Sequence, residues 1–283
     1  MTETGKLLIA AVQMCSTNNL EDNLNRACER IQEAADRGAD VVALPENFAF
    51  MGSDEERAQV AQDLDGGILS RLRRIAREKA IHILGGSILV RSSDESDGRP
   101  YNTSVFLDRE GTPAAVYHKI HLFDVSLTDG ASYRESSYIR PGEEIVTVCR
   151  DGITFGLTVC YDLRFPQLYR ALARKGAQIV FVPAAFTLVT GKEHWMPLLR
   201  ARAIESQVYI VAPAQFGRHD AKRQTHGHSA IVDPWGAVLA QASEKECVIY
   251  ADFDVEYLQE VRRRIPVLDH ERPELYANTG PDA

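Results

Sequence analysis

Gly156-Leu157-Thr158-Val159-Cys160-Tyr161-Asp162-Leu163-Arg164-Phe165-Pro166 starts with the pattern of a strand and ends with that of a helix. Ile153, Phe155, Leu157 and Val159 alternate with smaller residues, which is the period of a strand. Pro166 suits a first helical turn, where its missing N–H costs nothing. Cys160 stands at the turn between them. Backbone N–H groups and an open approach at such a turn favour a thiolate nucleophile. A buried structural cysteine is the alternative, since free cysteine is among the most buried residue types.

On both sides of this stretch, helical and strand patterns alternate. A strand is expected over residues 7–14. A helix follows, capped by Asn18 or Asn19, with Leu24, Ala27 and Ile31 inward and its end at Gly38. The apolar run at 41–44 reads as a strand covered on both faces and stops at Pro45-Glu46-Asn47-Phe48. A helix over 66–80, one strand over 81–90, a loop over 92–100 and a hairpin of 101–107 with 114–117 come next. Residues 124–142 read as a long ordered loop, a length that is usually functional or disordered. Beyond Cys160 the patterns give a helix to about 176, strands at 179–182 and 208–212, and a helix over 193–207. Further strands are expected at 225–232, 238–241 and 248–253, with a last helix over 255–264. No linker divides the chain, so one α/β domain with mixed sheets is expected, its core at about 6–265 and a tail at about 266–283.

Composition excludes several classes. Among 283 residues, 40 acidic against 32 basic side chains give a net charge of −8, which does not suit nucleic acid as a main partner. Short basic runs such as Arg262-Arg263-Arg264 read as solvated helix faces. The five cysteines, Cys15, Cys28, Cys149, Cys160 and Cys247, are odd in number and form no CxxC pair, against a zinc ribbon or a disulfide framework. Residues 1–6 lack the pattern of a signal peptide, and no apolar run has the length of a membrane span. A reducing cytoplasm is the expected location.

Glu46, Lys119 and Cys160 all fall at the ends of expected strands, where α/β proteins place working groups. An ammonium near the thiol favours the thiolate and can hold an oxyanion, and a carboxylate can take the thiol proton and later activate water. Gly217-Arg218-His219-Asp220-Ala221-Lys222-Arg223 adds cations after a strand, and Arg218 is the candidate there for pairing with a substrate carboxylate. Other readings remain open. One is a Cys–His hydrolase using His118, His121 or His194. Another is a metal enzyme using His226 and His228, two apart on one strand, or His118 and His121.

Leu44-Pro45-Glu46, His118-Lys119-Ile120-His121-Leu122-Phe123 and Cys160-Tyr161-Asp162-Leu163-Arg164-Phe165-Pro166 resemble the three signature blocks of the nitrilase (carbon–nitrogen hydrolase) superfamily, in order and across nearly the whole chain. The resemblance implies a four-layer αββα sandwich with mixed sheets. It implies Glu46 as general base, Lys119 as oxyanion stabiliser, Cys160 as nucleophile and Glu135 as a second glutamate, with the backbone N–H of Tyr161 also holding the oxyanion. No metal or organic cofactor is implied, and homodimers or larger homo-oligomers are. Thr190-Gly191-Lys192-Glu193-His194-Trp195, Leu199-Arg200-Ala201-Arg202-Ala203-Ile204-Glu205 and Gln215-Phe216-Gly217-Arg218-His219 make the chain most similar to the deaminated glutathione amidases, with the ω-amidases as the near alternative. The expected substrate is a small carboxylated amide, contacted by Tyr161, Phe186, Thr187 and Arg218. An inactive scaffold of the same fold is the non-enzymatic alternative, and the intact set of four reactive side chains argues against it.

Overall fold

The structure is a computed structural model that describes residues 6–92, 94, 97–126, 130, 132–221 and 223–275. Two sheets form its centre. The first runs in the order Cys247–Asp254, Lys6–Gln13, Val41–Ala43, His82–Leu84, Tyr101–Leu107, Ile88–Val90, with Pro113–His118 also paired to Tyr101–Leu107. The second runs Val238–Gln241, Ala230–Val232, Tyr209–Ala212, Ile179–Phe181, Ile153–Leu157, Thr147–Arg150. Three parallel strands lie inside each sheet and antiparallel strands complete it.

The period of two along each strand makes the layers. On Lys6–Gln13, Ile9 and Ala11 join the core that reaches the second sheet, while Ala10 and Val12 pack under Leu20–Asp36 and Gly67–Lys79. Phe106 of the first sheet meets Phe155 of the second at 4.9 Å between ring centroids, and Phe155 meets Phe181 at 5.8 Å. Helices Pro166–Arg174 and Leu188–Ser206 bury Leu168, Leu172, Trp195 and Leu199 in the core that the second sheet shares. Helix, sheet, sheet, helix is the expected four-layer order. Asn19 caps the first helix by accepting the Asp22 N–H at 3.1 Å. Among the described residues, no helix is long and apolar enough to cross a membrane.

Four expectations differ from the structure. The strand expected over 81–90 is two strands, both paired with Tyr101–Leu107 and interrupted at Gly85 and Gly86. At Gly86, φ is +49° and an added Cβ would meet the Pro45 carbonyl oxygen at 2.1 Å. The break therefore exists so that the turn carrying Glu46 can cross it. Gly86→Ala is expected to cost about 2–3 kcal/mol, from left-handed backbone and forced displacement together. A urea titration beside the parent checks it, and an unchanged midpoint would contradict it.

The strand expected over 225–232 is also two strands, Gln224–His226 and Ala230–Val232, in different sheets, with positive φ at Gly227 and His228 between them. His226 and His228 thus do not share a strand, although their rings lie 4.5 Å apart. The helix expected over 193–207 begins at Leu188, because Thr187 caps it by accepting the Thr190 N–H at 3.3 Å. Within 124–142, Asp124–Ser126 pairs with Ser132–Arg134 and a short turn of helix follows at Glu135–Ser137. Residues 127–129, 131, Lys222 and the end of the tail, 276–283, lie outside the described residues.

Candidate active site

Cys160 is reached from Ile153–Leu157, a central strand of the second sheet. The chain leaves that strand through Val159 and enters a 3-10 turn at Cys160, whose φ is +49°. Left-handed backbone at a non-glycine residue costs about 1–2 kcal/mol and persists only where surrounding structure enforces it. Here the enforcement is visible. The Cys160 N–H donates to the Pro183 carbonyl at 2.9 Å. Asp162, fully buried, accepts the Val159 N–H at 2.8 Å, the Tyr117 hydroxyl at 2.6 Å, and the His121 N–H and Nδ1 at 3.1 and 2.7 Å. One carboxylate thus ties the cysteine turn to the segment carrying Lys119.

Glu46 arrives from the first sheet, just past Val41–Ala43. Gln215 Nε2 donates to its carbonyl at 3.1 Å, and the next N–H, of Asn47, donates to Ser87 Oγ at 3.1 Å. Lys119 follows Pro113–His118 and is fixed by its N–H to the Asn102 carbonyl at 2.9 Å. Glu135 opens the short helical turn after Ser132–Arg134 and accepts the Phe123 N–H at 2.7 Å.

These side chains converge in one buried cluster, Lys119 being 2% exposed, Glu46 3%, Glu135 6% and Cys160 8%. Lys119 Nζ donates to Glu46 Oε1 at 3.0 Å and to Glu135 at 2.9 and 3.1 Å. Asn102 Nδ2 donates to both carboxylates, at 3.0 and 3.3 Å. Burial opposes charge on Lys119, but Glu135 and Glu46 outweigh it and hold the ammonium well above the usual lysine range. Burial likewise opposes the Glu135 carboxylate, and Lys119, the Phe123 N–H and Arg57 together hold it below its ordinary value.

The cysteine behaves differently from the sequence expectation of an ammonium-stabilised thiolate. Burial and the Glu46 charge push the Cys160 thiol well up, against Lys119, and the thiol shares a hydrogen bond with Glu46. The resting group is therefore a neutral thiol with a carboxylate beside it to take its proton. His118, His121 and His194 are engaged elsewhere, with Thr103 at 2.9 Å, Asp162 at 2.7 Å and Arg164 at 3.2 Å. Among the described residues, no group of three or more His, Cys, Asp or Glu side chains is placed to hold a metal ion.

A cavity of about 690 Å³ opens over the cluster. Its lining includes Glu46, Lys119, Glu135 and Cys160, together with Tyr161, Phe186 and Thr187, so all of these candidates come together. Arg218 does not: it is exposed, at the end of Phe216–Arg218, and lies outside this lining. Arg223, five residues on in the same cation run, lines the cavity instead. Gly217 and Arg218 pair with Thr225 and Gln224 across a two-stranded ribbon, which turns the run back so that its far end reaches the cavity.

Sequence reasoning missed several lining groups. Arg57 donates to Asn47 Oδ1 at 2.9 Å and to the Tyr138 hydroxyl at 3.1 Å. Arg164 lies over the rings of Phe186 and Tyr161, 5.3 and 5.9 Å from their centroids. Arg164 could have been found, since it lies four residues after Cys160 and on the cavity side of a helix start. Nothing local marks Asn102 or Arg57.

The carbon–nitrogen hydrolase family model matches residues 8–263. The chain is 44% identical over 265 residues to the deaminated glutathione amidase of Synechocystis sp., covering 93% of this chain and 97% of that one. It is 42% identical over 276 residues to the deaminated glutathione amidase of Bos taurus, covering 96% and 84%. The crystal structure of the Caenorhabditis elegans NitFhit protein matches with a TM-score of 0.87 at 40% identity, over 96% of this chain and 66% of that one.

Proposed function

This chain belongs to the carbon–nitrogen hydrolase family, the nitrilase superfamily, and from that premise we propose that it is an amidase of deaminated glutathione acting through a thioester on Cys160. The observation that carries the mechanism is the buried set of Cys160, Glu46, Lys119 and Glu135 at the floor of one cavity. The substrate rests on the likeness to relatives of that name and on cations in the cavity wall.

In the first half, the Cys160 thiol gives its proton to Glu46 as sulfur bonds to the amide carbonyl carbon. The carbonyl electron pair moves to oxygen, where the Lys119 ammonium and the Tyr161 backbone N–H hold the charge. The oxyanion collapses, the C–N bond breaks, and the leaving nitrogen takes the proton from Glu46. Cysteinylglycine departs and the α-ketoglutaryl group stays on sulfur. In the second half, Glu46 takes a proton from water as the oxygen attacks the thioester. The C–S bond then breaks, α-ketoglutarate leaves, and sulfur recovers its proton from Glu46. Glu135 accepts no proton in this sequence. It keeps Lys119 charged and aimed.

The acyl carboxylate pairs with Arg164, whose guanidinium lies over the Phe186 and Tyr161 rings and suits bidentate contact. Phe186 and Thr187 form the adjoining wall. The homo-oligomer expected from the resemblance is part of the same reading, and light scattering tests it.

The deciding experiment compares kcat/KM for deaminated glutathione and α-ketoglutaramate, with Cys160→Ala as control. A preference for the first that the variant abolishes is the expected result. A preference for the second keeps the mechanism and assigns an ω-amidase. Turnover that survives in Cys160→Ala overturns the mechanism.

A further inference from the structure

The cavity over Cys160 does not end at its own mouth. A second, larger cavity, about 1750 Å³ and open to solvent, adjoins it. The two share Met51, Tyr133, Tyr138 and Arg223, which form a neck between an inner chamber holding the reactive cluster and an outer one. The neck consists of a methionine, two phenol rings with their hydroxyls and one guanidinium. The outer chamber adds Arg134, with Glu56 and Asp220 as the acids on its wall. Glu56 accepts the Ser53 N–H at 2.8 Å and an Asn18 amide N–H at 3.3 Å, and Asp220 accepts the Arg223 N–H at 2.6 Å. Both acids hold turns in place.

Arg223 is held by its own backbone. Its N–H and C=O close a small ring with Asp220 and His219. His219 is buried, and its two ring nitrogens meet the Ser16 carbonyl and Thr225 Oγ1, each at 2.7 Å. A carbonyl can only accept, so Nδ1 carries the proton and Nε2 accepts from the threonine hydroxyl. Burial pushes the His219 pKa down, consistent with that neutral form. The imidazole thus pins the turn between the first-sheet side and Thr225 in the wall of the inner chamber. Arg223 Nη1 in turn reaches the Gly52 carbonyl at 3.2 Å, beside Met51 of the neck.

We infer that the outer chamber is a leaving-group subsite, in which Arg223 at the neck binds a carboxylate carried by the departing amine. The inference rests on the amidase reading above and deepens it. With the acyl carboxylate on Arg164, the bond that breaks lies at Cys160 and the amine must extend away from the inner wall. A primary amide releases ammonia and leaves the outer chamber unused. A dipeptidyl amine two residues long reaches about 7 Å beyond the scissile nitrogen, enough to pass a neck. Its far end is a carboxylate, the group for which a guanidinium fork is matched. Arg223 is therefore a specificity residue that separates peptide-like amides from primary ones.

The test is a cycle of two enzymes and three substrates: parent and Arg223→Ala against deaminated glutathione, its C-terminal carboxamide, and α-ketoglutaramate. Losing one charge-assisted contact is expected to lower kcat/KM for deaminated glutathione about 10- to 100-fold, mostly through KM. The parent should lose a similar factor on the carboxamide, and the variant should no longer distinguish acid from carboxamide. Turnover of α-ketoglutaramate should fall by a smaller factor, and a urea midpoint equal to that of the parent shows that the variant folds. Arg223→Lys should recover part of the loss, because charge remains and the fork does not. Equal losses on all substrates, or an acid-to-carboxamide ratio unchanged in Arg223→Ala, overturn the subsite and leave the amidase reading intact. A parent that turns over α-ketoglutaramate but not deaminated glutathione overturns the substrate reading and the subsite with it.

Discussion

Lys119→Met is expected to lower kcat at least a thousandfold, on the order of the loss of an oxyanion donor, and to destabilise the fold by about 3–5 kcal/mol at neutral pH. The second effect is the more diagnostic. Lys119 sits between two carboxylates, 3.0 Å from Glu46 and 2.9 Å from Glu135, and all three are buried. Methionine has similar length but no charge, so it leaves two anions facing each other without water. Asn102 bridges them but neutralises neither.

The pH dependence of that loss has a definite sign. In the parent, Lys119 holds Glu135 below the ordinary carboxylate range. Its contribution is then fully present above the unfolded value of 4.5 and fades as pH falls through the lower folded value. In Lys119→Met the main lowering partner is gone, and burial then works to raise the Glu135 carboxyl. A carboxyl raised in the folded state binds a proton more readily there than in the unfolded chain. Its contribution is present in acid and is lost as pH rises through the folded value. The gap in urea midpoint between parent and variant should therefore be wide at pH about 7.5 and narrow toward pH about 4.5. An equal gap at both would mean that the carboxylates are not coupled through this lysine.

How much of this was legible in the sequence differs by residue for physical reasons. Glu46, Lys119 and Cys160 stand at strand ends, so hydrophobic period alone locates them and chemistry makes them a set. Glu135 lies in a segment without apolar period, and only the resemblance singled it out. Most of the alternation of helices and strands read correctly, and so did the inward face of the first helix at Leu24, Ala27 and Ile31; the short helix Asp54–Gln59 was not expected. The failures are tertiary. The strand breaks at Gly85 and Gly86, where an added Cβ on Gly86 would meet the Pro45 carbonyl; the Gly-Gly pair is a local sign of a break, but what crosses there comes from another part of the chain. Arg218 and Arg223 are equivalent in composition, and only the fold-back of the ribbon selects the second. The thiol's resting protonation was also hidden, because it depends on burial and on the distance to Glu46 more than on which residue types are present.

Glu46→Gln should lose activity by about four orders of magnitude, the upper range for general acid–base catalysis, because the proposed route uses this carboxylate in every proton transfer. The substitution is gentle on the fold. The Gln carbonyl can still accept from Lys119 and Asn102, and Lys119 keeps Glu135 as a full counter-charge. Stability should therefore move far less than in Lys119→Met, which separates loss of chemistry from loss of structure. Activity that remains should rise with pH, since sulfur must then lose its proton to solvent. Removing Glu46 also removes one of the two causes that push the Cys160 thiol up, burial being the other, so the thiol ionises at lower pH in the variant than in the parent. The parent, with its internal base, should show no such rise across neutrality. A pH–rate profile of kcat/KM for the two proteins reads this directly. A Glu46→Gln enzyme within tenfold of the parent, with a flat profile, would remove Glu46 from the mechanism and require another base within reach of Cys160.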